Sequence, residues 1–204
     1  MNIITNIKSP NFEPRPPGCL PRFIILHYIE QPFDSAMSQY CDKNVKLSPH
    51  YAIKKTGEVY NLVLDEYTAW HAGASYWQGI ERLNHHSLGI EIDNMGNEPF
   101  TDEQMDSCIK LCRLLMKKHN IPRENVLGHS DIAPGRKVDP GRFFDWELLD
   151  KNEIGIPMNR KISGLDITSK QKYLKDMGYK IEITGKDDSQ TQEVAKAFED
   201  HFIR

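Results

Sequence analysis

The sequence predicts an α/β fold, a mixed central β-sheet flanked by helices, with a short helical appendage at the C-terminal end. Short apolar runs that are typical of buried strands recur between residues 23 and 128. An amphipathic segment long enough for a helix follows them near residues 101–119. Strands and helices that follow one another in this way favour a sheet covered by helices. After about residue 165, the apolar spacing is that of helices alone.

Length and composition indicate a soluble globular protein with one main domain. Of the 204 residues, 39% are apolar and 27% are charged, which are ordinary proportions. The net charge of −3, the pI near 6.2 and the scattered Lys and Arg residues argue against a nucleic-acid partner. No apolar run approaches the roughly 18 residues that a transmembrane helix needs.

The N-terminal residues lack the order of charged and apolar segments that is typical of a signal peptide. We therefore expect the protein to be located in the cytoplasm, or in the periplasm and cell envelope if the chain is a processed form.

The first predicted elements lead to a histidine at a strand end. Residues 1–21 are polar and rich in proline, which indicates an irregular arm laid over the domain. The apolar run 23–26 predicts a buried strand that ends at His27. Next comes a predicted hairpin, with strands near 50–54 and 58–63 joined by a Thr-Gly turn.

The following elements lead to a second histidine at a strand end. A short strand is predicted over 88–92, and Thr101 then begins a helix with Gln104 in the capping-box position. Apolar spacing continues to about His119, where a nearby proline ends the helix. The segment ENVLGHS predicts another core strand, with His129 at its end. Ligands of such folds gather where strands end, so both histidines are candidates for a site.

The four cysteines predict neither a disulfide framework nor a metal site. They contain no CxxC pair, and their number is low for a disulfide scaffold. Cys108 and Cys112 lie on the apolar face of the predicted helix, where free cysteines are usually buried. We therefore interpret them as core thiols rather than metal ligands.

The chain divides into a main domain and a tail. We assign residues 22–150 to the main domain and residues 151–164, which contain Gly, Pro and Asn, to a linker. Residues 165–204 form the tail, with predicted helices near 168–177 and 189–202.

A metal site is indicated by His27, His129 and Asp139. Asp139 follows His129 by ten residues, across a loop of Gly and Pro that can fold back on itself. Two histidines and one carboxylate would leave an open coordination position, as in a catalytic zinc site. Taken alone, this spacing is also typical of solvated loop residues.

Five blocks of the sequence together carry a resemblance to a known family. The blocks are HYIEQPFDSAMSQY, SPHYAI, AWHAGASYWQG, LNHHSLGIEIDN and GHSDIAPGRKVDPG. In order and spacing, they resemble the type-2 N-acetylmuramoyl-L-alanine amidases, which cut the amide between muramic acid and the L-alanine of the peptidoglycan stem. The resemblance covers about residues 20–150 and implies that residues 22–150 are a catalytic domain.

This resemblance implies one zinc ion per chain, held by His27, His129 and Asp139. It also implies that Glu91 is the catalytic acid/base and that Lys137 stabilises the tetrahedral intermediate. The chemistry agrees with both roles. A carboxylate can move the proton of an attacking water, and a fixed ammonium can stabilise a developing oxyanion.

Substrate contacts are implied for His50, His71, Trp77 and Asn84. Alternatives remain for three of them. His50 could instead be a core histidine or support a ligand from behind, and Trp77 could belong to the core, as large aromatics often do. His71 could form a wall of the cleft, and Asn84 is expected to bind the stem peptide.

The tail resembles the first part of a helical peptidoglycan-binding module, without the final helix of that module. The alternative role for the tail is that of a structural clamp on the catalytic domain.

We expect a monomeric zinc amidase that acts on peptidoglycan or muropeptides in cell-wall turnover and recycling. Two other hypotheses are a non-catalytic muropeptide receptor on the same fold and a zinc hydrolase of another amide or ester.

Overall fold

The computed structural model describes residues 2–203, so Met1 and Arg204, the ends of the predicted arm and tail, lie outside the described residues. The strands are β1 (Ile3–Ile4), β2 (Phe12–Pro14), β3 (Phe23–Tyr28), β4 (Tyr51–Ile53), β5 (Val59–Asn61), β6 (Tyr67–Ala69), β7 (Tyr76–Trp77), β8 (Ile80–Glu81), β9 (Ser87–Ile92) and β10 (Val126–Gly128). The α-helices are α1 (Phe33–Cys41), α2 (Asp102–His119), α3 (His129–Ile132), α4 (Trp146–Lys151), α5 (Ile167–Met177) and α6 (Ser189–Phe202). Short 3-10 helices span Leu83–His86 and Arg123–Asn125.

A six-stranded mixed sheet forms the centre of the fold, as the sequence predicts. Its strand order is β1-β5-β4-β9-β3-β10. Strand β3 runs parallel to both β9 and β10, whereas β4 and β5 are antiparallel. The α/β class and the predicted β4–β5 hairpin are therefore confirmed.

Helix α2 begins where the capping signal predicts. The Thr101 hydroxyl accepts a hydrogen bond from the Gln104 backbone N–H, and the Thr101 N–H donates to the Gln104 side chain. These bonds satisfy two backbone groups at the helix start. The helix ends at His119, and Asn120 follows in the left-handed conformation that is common after a helix C-terminus.

Strand β3 ends at Tyr28, one residue beyond the predicted end at His27. Its side chains alternate between two cores. Ile24 and Leu26 belong to the core that contains α2, whereas Phe23 and Ile25 belong to the core that contains the tail helices. A strand that is buried on both faces reads as a continuous apolar run, which is how this segment appears in the sequence.

The tail covers one face of the sheet. Leu174 of α5 and Phe198 of α6 share a core cluster with Phe23, Ile25 and Leu127 of the sheet. The position of the tail is that of a clamp on the main domain. Its division from that domain and its binding of glycan stay predictions.

Helix α1 was not predicted, although its pattern is present in the sequence. Phe33, Ala36, Met37 and Tyr40 are buried along one helical face.

The predicted core position of Cys108 and Cys112 is observed, because both thiols are buried against the sheet. Across residues 2–203, no helix is both long enough and apolar enough to cross a membrane.

Candidate metal centre

Neighbouring parallel strands place His27 beside Glu91. The two residues are Cα partners in the pairing of β3 with β9, so their side chains emerge on the same face of the sheet. That face also carries Phe23 and Ile25, and the tail covers it farther along the strand. Both His27 and Glu91 are buried.

The loop after β10 folds back to bring Asp139 to His129. His129 is the first residue of α3, directly after the strand. The Ser130 backbone N–H donates to the Asp139 carbonyl at 2.9 Å, and the Lys137 N–H donates to the Ala133 carbonyl at 3.0 Å. These bonds close the loop that the Gly and Pro residues make possible.

His27, His129 and Asp139 converge on one point. The Nδ1 atoms of the two histidines lie 2.9 Å apart, and each lies 2.9–3.0 Å from Asp139 Oδ2. All three side chains are buried. Among residues 2–203, these three side chains form the group whose possible ligand atoms lie close enough together, within 4.8 Å of one another, to hold a metal ion.

Hydrogen bonds behind His27 determine which of its ring nitrogens carries the proton. The Ser87 hydroxyl donates to the Leu83 carbonyl at 2.6 Å, so it accepts from His71 Nε2–H at 3.2 Å. His71 Nδ1 is then an acceptor and receives a hydrogen bond from His27 Nε2–H at 2.9 Å. His27 Nδ1 is left with a lone pair that faces Asp139.

His129 is oriented in the same way by the segment after β6. Its Nε2–H donates to the Ala72 carbonyl at 3.1 Å, which leaves the Nδ1 lone pair facing Asp139. Arg136 donates to the carbonyls of Ala72 and Ala74, both at 2.7 Å, and so holds this segment against the loop. Ligating histidines typically donate their second nitrogen in this manner.

The donor set fits a divalent cation. Two nitrogen lone pairs and a carboxylate oxygen point at one another in a buried space, an arrangement that a cation between them would stabilise. Two imidazoles with one carboxylate are also a ligand set of catalytic zinc.

Electrostatics keep these ligands in the protonation states that bind metal. Burial and the neighbouring His129 lower the pKa of His27 to about 4, although Asp139 opposes the shift. Burial by itself would raise the pKa of Asp139, but the neighbouring imidazoles of His129 and His27 outweigh it and lower that pKa below its usual range. Neutral imidazole and ionised carboxylate are the forms that ligate metals.

Glu91 faces the same cavity, which has a volume of about 150 Å³ and is also lined by His27, Asp139, Lys137 and Tyr40. Its Oε2 atom is buried and has no hydrogen-bond partner among residues 2–203. Burial and the charge of Asp139 raise the pKa of Glu91 well above its usual value, while the charge of Lys137 lowers it. A buried carboxyl with a raised pKa in a cleft is suited to proton transfer.

The four predicted substrate-binding residues lie in different surroundings. His71 lines the cavity but is enclosed between His27 and Ser87. The Asn84 Oδ1 atom accepts hydrogen bonds from the backbone N–H groups of His71 and Ala72, at 3.1 and 2.7 Å, and so shapes the segment that binds His129.

His50 and Trp77 are both fully buried. His50 Nδ1 accepts from the Gly89 N–H at 3.0 Å, and the Trp77 ring packs against Tyr179 of the tail with a centroid distance of 4.9 Å. A contact between Trp77 and substrate would require its ring to leave that packing. The substrate contacts of all four residues stay predictions.

Two residues of the site were not singled out from the sequence. Tyr40 lines the cavity from α1, and the apolar pattern of that helix could have indicated its inward direction. Arg136 stands next to Lys137 in the sequence, but its role depends on carbonyl groups more than 60 residues earlier. No local pattern could have indicated that role.

Comparison with known proteins identifies relatives of this chain. Residues 15–142 match the family described as N-acetylmuramoyl-L-alanine amidase. The 1,6-anhydro-N-acetylmuramyl-L-alanine amidase AmpD of Haemophilus influenzae is 34% identical over an alignment of 160 residues that covers 69% of this chain and 87% of that protein. The N-acetylmuramoyl-L-alanine amidase AmiD of Escherichia coli is 37% identical over an alignment of 150 residues that covers 66% of this chain and 54% of AmiD.

A solved structure extends the similarity into the tail. It is the complex of E. coli AmiD with anhydro-N-acetylmuramic acid-L-Ala-D-gamma-Glu-L-Lys, at 30% sequence identity and a TM-score of 0.80. The match covers 92% of this chain and 83% of the AmiD chain.

Proposed function

The chain belongs to the N-acetylmuramoyl-L-alanine amidase family, and we propose that it acts as a zinc hydrolase whose ion is held by His27, His129 and Asp139. Its reaction is the hydrolysis of the amide between N-acetylmuramic or anhydro-N-acetylmuramic acid and the L-alanine of muropeptides. The convergence of the two Nδ1 atoms and the Asp139 carboxylate carries the zinc proposal.

His27 and His129 would hold zinc through Nδ1, and Asp139 through Oδ2, because these are the atoms that face one another. When bound, zinc supplies Lewis acidity, which lowers the pKa of a water towards about 7. The remaining chemistry belongs to Glu91 and Lys137.

Glu91 moves the proton. Its carboxylate takes a proton from the attacking water as the oxygen bonds to the carbonyl carbon of the amide. The same group then gives that proton to the nitrogen of L-alanine as the C–N bond breaks, which restores the carboxylate. The raised pKa of Glu91 supports this role. A carboxyl that must both accept and release a proton works best when its pKa lies near the pH of the reaction, and a rise moves the pKa of Glu91 in that direction.

Lys137 stabilises the charge that develops on the carbonyl oxygen. It lines the cavity together with Glu91 and the ligands, and its positive charge acts on both Glu91 and His27. The closed loop holds its backbone through the bond to Ala133. A cation fixed in advance near a developing oxyanion lowers the barrier without reorganisation at the moment of reaction.

The substrates that we propose are muropeptides and peptidoglycan. AmpD of H. influenzae is named for 1,6-anhydro-N-acetylmuramyl-L-alanine, and AmiD was solved with an anhydro-muramyl tripeptide. Purified chain should be incubated with an anhydro-muramyl tripeptide and, separately, with sacculi, and the products should be identified by mass spectrometry. We expect free peptides that begin with L-alanine, no product after chelation, and recovery when zinc is returned. An unchanged rate after complete removal of metal would refute the zinc role.

A further inference from the structure

The tail forms a buried network with the loop that carries His129. The carboxylate of Asp131, on helix α3, receives three hydrogen bonds. Tyr179 donates its hydroxyl to Oδ1 at 2.8 Å, His201 Nδ1–H donates to Oδ2 at 2.8 Å, and the Gly128 N–H donates to Oδ2 at 2.7 Å. The side chains of Asp131, Tyr179 and His201 are at most 2% exposed.

The backbone bond from Gly128 connects this network to the metal centre. Gly128 immediately precedes His129, and Ser130, which follows it, donates its N–H to the carbonyl of Asp139. The backbone on the two sides of His129 is therefore fixed, before it by the bond from Gly128 to Asp131 and after it by the bond from Ser130 to Asp139. A shift of Asp131 would be transmitted to the position of the His129 ring.

Packing fixes both tail donors. The His201 ring stacks on Trp146 with a centroid distance of 3.7 Å and on Phe202 at 4.0 Å. The Tyr179 ring lies edge-on to Trp77 at 4.9 Å. A Cβ atom at Gly178 would come within 2.9 Å of the Trp77 ring, so the chain approaches this packing closely.

We infer that the tail supports the metal centre, with Tyr179 and His201 acting as positioning residues that hold Asp131 and, through Gly128, the ligand His129. This inference rests on the proposed metal role of His129. Two of the donors to Asp131 come from far along the chain, because Tyr179 follows it by 48 positions and His201 follows it by 70. It gives the tail a function in the main domain that does not require it to bind glycan.

Zinc affinity of the full-length chain tests the inference directly. Y179F removes one hydroxyl and keeps the ring on Trp77, H201L removes the imidazole donor, and H201N keeps an N–H near the position of Nδ1. We expect the double variant Y179F/H201L to raise the zinc dissociation constant by about tenfold, near the lower end of the effect of outer-shell groups. H201N should bind zinc more tightly than H201L.

A matched control is available inside the tail. Gln171 is fully buried and donates to Thr184, Lys186 and Thr191, all within the tail. Q171M should lower the melting temperature without changing the zinc dissociation constant. Folded Y179F/H201L protein with wild-type zinc affinity would overturn the inference, as would H201N being no better than H201L.

Failure of the proposed function would look different. In that case, D139A would bind zinc as well as the wild type, whatever the tail variants do, and the inference would fall with it. If D139A loses zinc and the tail variants do not, only the inference is wrong.

Discussion

The Nε2 atom of His27 lies 2.9 Å from the Nδ1 atom of His71, and this contact decides which nitrogen of His27 faces the metal centre. His71 can accept that proton because its own Nε2–H is directed to Ser87. The sequence alone suggested a substrate contact for His71, and the structure adds this supporting role behind a ligand.

Replacing His71 should therefore weaken zinc binding without removing a ligand. H71F keeps a ring of similar size but leaves His27 Nε2–H without its acceptor. We expect the zinc dissociation constant, measured by competition with a chromogenic chelator, to rise by roughly 10–100-fold. S87A should have a smaller effect, because His71 could still accept from His27. Unchanged zinc affinity in folded H71F would contradict the role of His71.

Metal removal should cost stability as well as activity. A ligand that binds only the folded chain stabilises it, so chelation should lower the melting temperature and added zinc should restore it. Elemental analysis of active protein should find one zinc per chain. Active protein that contains no zinc would refute the assignment.

The variant E91Q should retain zinc and lose turnover. The amide cannot accept the proton of water as a carboxylate does, so we expect kcat to fall by about 10²-fold or more. E30Q is the control, because Glu30 lines the same cavity but is exposed. Its kcat should stay near the wild-type value, and a similar loss in both variants would argue against a specific role for Glu91.

The variant K137A should lower kcat much more than it changes KM. The ammonium interacts most strongly with charge that exists only in the transition state, and loss of one such donor costs about 2.7–4 kcal/mol. Zinc content should not change, whereas D139A should reduce zinc binding first. A higher KM with preserved kcat would make Lys137 a residue that anchors the substrate.

Asp65 should make stability depend on pH in the acid range. Burial by itself would raise the pKa of this carboxyl, but hydrogen bonds from Lys118, Tyr51 and His119 lower it below its ordinary value of 3.8. A carboxyl whose pKa is lowered by folding stabilises the protein above its unfolded pKa, and that contribution is lost as the pH falls through the folded pKa.

Urea unfolding of the wild type and D65N should show this effect. At pH 7, D65N should have the lower free energy of unfolding, and the difference should shrink below about pH 3.8. A difference that stays constant down to pH 2.5 would show that another property of Asp65 is responsible.

The sequence by itself determined the elements whose signals are local. Apolar runs gave strand β3, a Thr-Gly turn gave the β4–β5 hairpin, and the Thr101 capping box gave the start of α2. The metal trio was also named from the sequence, but position alone did not decide it. His27 and His129 stand at or near strand ends and Asp139 follows in a loop that can return, and the resemblance to the amidase family favoured these residues as ligands over solvated loop residues. The structure brings the three together. The apolar face of α1 is also a local signal, but the helix is nine residues long, so its period of about 3.6 residues repeats fewer than three times.

Tertiary structure decided how those residues are supported. His71 meets His27 across 44 positions of sequence, and Tyr179 meets Asp131 across 48. Such pairs leave no periodicity or spacing in the chain, because they arise from the packing of the tail and the β6–β9 segments against the sheet. The identity of the ligands is therefore visible in the sequence, whereas their proton positions and their rigid placement depend on contacts that exist only after folding.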